Sequence, residues 1–194
     1  MPFINALKKF IFLSSLLGTV SAGLAQSTST LRTAGKLPNN TVITTVNVGG
    51  YSSALAVSPD SSTVYVANAE AGTVIVLDAT NNYAIKATTT VGSEPEYLVV
   101  SPDGRKLYVS NYTEQGTVSV VDTTQTSYPV AATLSTGAYP AALAITPDGT
   151  ELWVANYGSA YNQIPGTISV FGTAADNLKS TIATSGSSLA YSVC

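Results

Sequence analysis

The sequence predicts an all-β fold built from a repeated unit, and three observations carry that prediction. Apolar residues make up 45% of the 194 positions and charged residues only 10%. That is too apolar for a disordered chain and too poor in charge for helices laced with ion pairs. Val, Thr, Ser, Tyr and Gly are prominent, the residues of strands and tight turns. Most telling, a three-part pattern recurs. Ser58-Pro59-Asp60, Ser101-Pro102-Asp103 and Thr146-Pro147-Asp148 stand at spacings of 43 and 45 residues. Six residues after each proline an aromatic opens a tetrapeptide: Tyr65-Val66-Ala67-Asn68, Tyr108-Val109-Ser110-Asn111 and Trp153-Val154-Ala155-Asn156. Gly72-Thr73-Val74, Gly116-Thr117-Val118 and Gly166-Thr167-Ile168 complete the copies.

Each copy reads as four short strands. In the second, residues 97–101 are strand A, and Pro102-Asp103-Gly104 makes the turn. Proline fixes φ at the first corner, and glycine follows where a positive φ is needed. Residues 106–111 alternate as strand B, 112–116 form a loop, 117–122 alternate as strand C, and 130–134 are strand D. Four strands in about 40–50 residues is the arithmetic of a propeller blade. A solenoid coil is shorter, and a sandwich does not repeat its turn chemistry so closely. The expected architecture is a partial β-propeller over residues 41–194. It has about three four-stranded antiparallel blades (51–92, 93–137 and 138–186) and orphan strands at both ends.

The ends read as follows. Residues 41–48, before Gly49-Gly50, match a strand D without its A, B and C. Residues 187–194 match the start of a fourth blade, with a strand A stopping where Ser-Pro-Asp is due. A ring typically needs four to eight blades, so three are expected to be a fragment or truncated product. The terminal blades would present faces made for a neighbour, and self-association through them is expected. Before the repeats, Lys8-Lys9, the apolar run 10–20 and the small residues Gly23 and Ala25 read as a secretory signal peptide over 1–25. Residues 26–40 read as a flexible segment. The apolar run is too short for a membrane span, and no later stretch is long enough.

Without the leader, six cations (Arg32, Lys36, Lys86, Arg105, Lys106 and Lys179) face the 11 acids of the chain. So few scattered cations make no patch for a phosphate backbone, and nucleic acid is not an expected partner. Cys194 is the sole cysteine, which rules out an internal disulfide; it reads as an ordinary strand residue.

The tetrapeptides Tyr65-Val66-Ala67-Asn68 and Tyr108-Val109-Ser110-Asn111, with Ser-Pro-Asp before and Gly-Thr-Val after, resemble the YVTN-family β-propeller repeat. That repeat occurs in surface-layer-like and exported proteins of bacteria and archaea. The resemblance spans about residues 41–194. Ser61 in place of the turn glycine, Trp153 in place of tyrosine, and Phe171-Gly172 in place of an apolar-Asp pair depart from it. It implies binding or scaffold modules, while related seven-bladed propellers include lactonases and quinone- or copper-dependent enzymes. The fold does not fix the function.

The chain has no histidine. A Ser-His-Asp triad and any His-ligated metal site are therefore excluded for the residues present. With one cysteine, thiolate clusters are excluded too. Asp60, Asp103 and Asp148 lie in A–B turns, and Asp78 and Asp122 end C strands; such carboxylates bond their own turn backbone. Asn68, Asn111 and Asn156 end the B strands as turn residues that tolerate left-handed geometry. Tyr65, Tyr108 and Trp153 are expected to pack between blades. No catalytic residue, metal site or cofactor is called for.

The D–A and B–C connections share one face of a propeller, where ligand sites collect. The candidates there are Tyr51, Glu94, Glu96, Tyr139, Tyr157 and Tyr161. Glu94 and Glu96 flank Pro95 as a carboxylate pair. Tyr157 and Tyr161 sit in the third B–C loop (157–165), which is longer than its counterparts. The leading expectation is a secreted or envelope-associated, non-catalytic binding scaffold, with a protein, small-molecule or cell-surface ligand. The alternative is part of a lactonase-like enzyme, with a top-face acid and a divalent metal, whose catalytic residues lie mostly outside this chain. A third reading is a non-functional truncated product.

Overall fold

The computed structural model describes residue 42 and residues 44–184. The chain divides into two units, Met1–Asn47 and Val48–Cys194. The signal peptide, the segment 26–40, residues 187–194 and Cys194 lie outside the described residues. Of the strand D expected over 41–48, the described residues, 42 and 44–48, carry no strand. A D strand exists only by pairing with a C strand, and each C strand of the structure already has a D partner of its own blade.

Among the described residues, the second unit holds twelve strands: β1 (Ser52–Val57), β2 (Thr63–Asn68), β3 (Thr73–Asp78), β4 (Ala84–Thr90), β5 (Pro95–Val100), β6 (Lys106–Asn111), β7 (Thr117–Asp122), β8 (Val130–Ser135), β9 (Pro140–Ile145), β10 (Glu151–Asn156), β11 (Thr167–Gly172) and β12 (Asn177–Ala183). They form three antiparallel sheets, β1-β2-β3-β4, β5-β6-β7-β8 and β9-β10-β11-β12. β6 and β7 occupy the residues read as strands B and C. The A strand β5 begins at Pro95 rather than at residue 97, because the ladder continues past a bulge to pair Pro95 with Asn111. The innermost strands lie side by side, β1 against β5 and β5 against β9. Each sheet runs outward from this row in the order A to D. That is the radial stacking of a partial β-propeller.

Period-2 alternation explains the packing. In β6, Leu107 and Val109 join Tyr65, Val74 and Val76 of the first sheet in one core. The residue between them, Tyr108, joins Leu143, Leu152 and Val154 of the third sheet in a second core. One strand thus fastens two interfaces, and full burial of each such side chain stabilises by about 1.5–3 kcal/mol. Tyr65 and Tyr108 pack between blades. Trp153, at the matching place on β10, belongs to neither core and is half-buried. Its indole N–H instead donates to Glu151 Oε2 at 3.2 Å. Alternation aims it away from the second sheet, and no described sheet lies on that side.

The A–B turns are one device used three times. The first residue donates its hydroxyl to the turn aspartate: Ser58 to Asp60 at 2.5 Å, Ser101 to Asp103 at 2.6 Å, and Thr146 to Asp148 at 2.5 Å. Each aspartate also accepts a backbone N–H two residues on, from Ser62, Arg105 and Thr150. These bonds favour the charged form and hold all three carboxyls below their ordinary range. Asp78 and Asp122 do the same in the C–D turns with Thr80 and Thr124. The asparagines at the B-strand ends do not adopt left-handed backbone. Asn111 and Asn156 are buried, and their Nδ2 atoms bridge to the C strand through Thr117 and Ser119, and Thr167 and Ser169. Asn68 caps its loop by accepting the N–H of Ala71.

Candidate functional site

The D–A and B–C connections meet in every blade through one repeated bond. The residue after each B strand donates its N–H to a D–A carbonyl: Ala69 to Tyr51 at 2.8 Å, Tyr112 to Glu94 at 2.8 Å, and Tyr157 to Tyr139 at 2.9 Å. A further bond crosses from one blade to the next, from Tyr139 N–H to Thr113 O at 2.8 Å. The D–A turn of the third sheet is thereby locked against the B–C loop of the second. Glu94 and Tyr139 hold equivalent positions, with φ of 51° and 54°, left-handed values that turn their side chains off the strand direction.

This lock brings tyrosines together. Tyr112 and Tyr139 lie with ring centroids 5.2 Å apart, tilted by 53°. With Tyr157, Tyr161 and residues 158–160 they line a recess of about 260 Å³. The long third B–C loop forms its far wall as a miniature hairpin in which Ser159 and Ile164 exchange both backbone bonds at 2.8 Å. Gly158 permits that fold: it has a φ of 74°, and a Cβ there would lie 2.4 Å from Ile164 O. Asn162 Nδ2 donates to Glu114 Oε2 at 3.2 Å and ties the hairpin to the neighbouring blade's loop. Tyr161, part of the lining, is 95% exposed.

Of the residues singled out from sequence, Tyr139, Tyr157 and Tyr161 share this recess. Tyr51, Glu94 and Glu96 do not line it. Tyr51 is exposed on the first blade. Glu96 is half-buried on the innermost strand β5, and burial first, then the charge of Glu94, pushes its carboxyl above the usual range. Tyr112 and Glu114 were missed. Aligning the repeats on the residue after the tetrapeptide finds Tyr112 and Tyr157 in register, with Ala69 in the first copy. No sequence signal pairs Asn162 with Glu114. The donors for a divalent metal do not assemble: among the described residues no three of His, Cys, Asp and Glu come together. No helix among them is long and apolar enough to cross a membrane.

Residues 73–188 match the family described as lactonase, 7-bladed beta-propeller. No curated protein matches the sequence. Among solved structures, hydrazine synthase of Kuenenia stuttgartiensis is 30% identical with a TM-score of 0.61, over 68% of this chain and 35% of that one. A proposed 6-phosphogluconolactonase of Bacteroides fragilis is 22% identical with a TM-score of 0.63, over 77% of this chain and 43% of that one. Another from Bacteroides uniformis is 18% identical with a TM-score of 0.57, over 72% and 43%. The last two share the fold at an identity too low to carry more, and the chain spans well under half the length of all three structures. The family match covers more than half the residues and all of the second and third sheets, so the chain belongs to the lactonase family of seven-bladed β-propellers.

Proposed function

We propose that these blades are a ligand-binding sector of an exported lactonase-family propeller, and that the tyrosine recess is where they bind. The observation that carries this is the recess itself. Four tyrosines from loops of two blades line it, on backbone that the bond from Tyr139 N–H to Thr113 O locks across the blades. Aromatic faces in a pre-formed concavity bind small molecules with little ordering cost. The basic and then apolar start of the chain supports export, and the tetrapeptides support the resemblance to surface-layer-like propellers. Ligand-detected NMR on the full chain with a panel of sugars, aldonolactones and amines tests the binding reading. A signal that disappears in Tyr139→Leu supports it; a panel without any Tyr139-dependent binder overturns it.

A second reading has an observation of its own. Glu96 lies half-buried on the channel-side strand with its carboxyl pushed up, which suits a general acid or base in lactone opening. Under it, the chain hydrolyses δ-gluconolactone above background, and Glu96→Gln abolishes the excess rate.

A further inference from the structure

We propose that the tyrosine recess selects an organic cation, a quaternary or methylated ammonium group, rather than an anionic or neutral sugar derivative. The inference rests on the reading of the recess as a ligand site and goes beyond it to the ligand's charge.

The argument is one of rings and charge distribution. Four tyrosines line the recess, and two of them, Tyr112 and Tyr139, pack with ring centroids 5.2 Å apart and planes inclined by 53°. Ring faces carry negative potential and attract a cation held within about 6 Å of their centroids. Glu114, outside the lining itself, accepts from Asn162, the residue after Tyr161. The wider face has the same sign. Glu70, Glu94, Glu96 and Glu114 all lie at the D–A and B–C ends of the blades. Every described cation, Lys86, Arg105, Lys106 and Lys179, lies at the opposite ends, in or beside the A–B and C–D turns. The described ion pairs are there too: Lys86 with Asp78, Lys106 with Asp176, and Lys179 with Glu151. No described cation therefore neutralises the glutamates at the recess end. Burial, and after it the charge of Glu94, pushes the Glu96 carboxyl up. A phosphorylated or carboxylated ligand would meet this face without a partner for its charge. An ammonium ion bearing methyl groups suits both features: its methyls fit apolar rings and its charge fits the field.

Isothermal titration of the full chain with choline, its neutral isostere 3,3-dimethylbutan-1-ol, and 6-phosphogluconate tests the proposal. Choline is expected to bind at least tenfold more tightly than the isostere, and 6-phosphogluconate not at all. Tyr139→Leu is expected to weaken choline at least tenfold. Glu114→Gln, which removes the charge but keeps an oxygen to accept from Asn162 Nδ2, is expected to weaken it several-fold and flatten its salt dependence. Equal binding of the isostere, or tighter binding of 6-phosphogluconate, would keep the recess as a ligand site and overturn its cation selectivity. Binding of none of the three probes would overturn the selectivity, while the wider ligand panel with Tyr139→Leu would still decide whether the recess binds at all.

Discussion

Replacing Gly92 with alanine tests how the blade ends are assembled. Gly92 lies against Asn111, so that an added Cβ would sit 2.4 Å from Asn111 Cγ and 2.5 Å from its Nδ2. Contacts that short do not occur, and one partner must move. Asn111 cannot yield easily. It is 1% exposed, and its Nδ2 donates to Thr117 Oγ1 at 2.9 Å and Ser119 Oγ at 3.0 Å. Displacing the amide breaks two neutral hydrogen bonds worth about 0.5–1.5 kcal/mol each, and crowding a packed site adds about 1–3 kcal/mol. Gly92→Ala should therefore destabilise by about 3 kcal/mol. Asn111→Ala loses the same two bonds, yet it also removes a buried Oδ1 that has no hydrogen-bond partner. Its expected cost is smaller, about 1–2 kcal/mol. In the double variant the alanine methyl at 92 enters the space the amide has left, and only its 2.9 Å approach to the Cβ of residue 111 is left to relax. The pair should then be only slightly less stable than Asn111→Ala alone, a coupling of about 2 kcal/mol in the stabilising direction. Urea unfolding of all four proteins, followed by circular dichroism, measures the cycle. If the two single effects add to within about 0.5 kcal/mol, the close approach of Gly92 to Asn111 does not govern the blade end and the reasoning fails.

Two further outcomes are expected. Ser61 adopts a φ of 63° where the sister turns place Gly104 and Gly149 at 73° and 72°; Ser61→Gly removes the strain of a left-handed residue and should raise stability by up to about 1 kcal/mol, read as an increase in Tm. Burial, chiefly, pushes the Tyr65 hydroxyl up to about 12 from an ordinary 10; because the folded value lies above the unfolded one, its contribution is complete below pH 10 and is lost as pH rises towards 12, so alkaline unfolding followed by tyrosinate absorbance should be less steep there in Tyr65→Phe.

Much of the fold was legible because its signals are local. The Ser-Pro-Asp turn closes within six residues through its own aspartate, so each turn announces the hairpin around it. Strands B and C alternate, and their apolar residues fall on the faces where the two cores form. The weaker readings were those that depended on a partner. Residues 41–48 have strand composition, but a strand needs a ladder beside it, and their described residues have none. Trp153 matches Tyr108 in sequence, yet packing between blades requires a blade on both sides. The B-strand asparagines were read for backbone tolerance, whereas their role is carried by side-chain amides that reach the adjacent strand.

The amino-acid sequence by itself determined the repeat, the order of four strands within it, the turn chemistry and the absence of histidine, because each is a property of residues close together in the chain or of a count. Only the tertiary structure decided which tyrosines meet. Tyr112, Tyr139, Tyr157 and Tyr161 come from two blades, and it is the stacking of one blade on the next that sets them around one recess. It also decided where charge lies, by sending the D–A and B–C glutamates to one end of the blades and the described lysines and arginine to the other. Both follow from the radial packing of sheets, which relates residues by blade geometry and not by their distance along the chain.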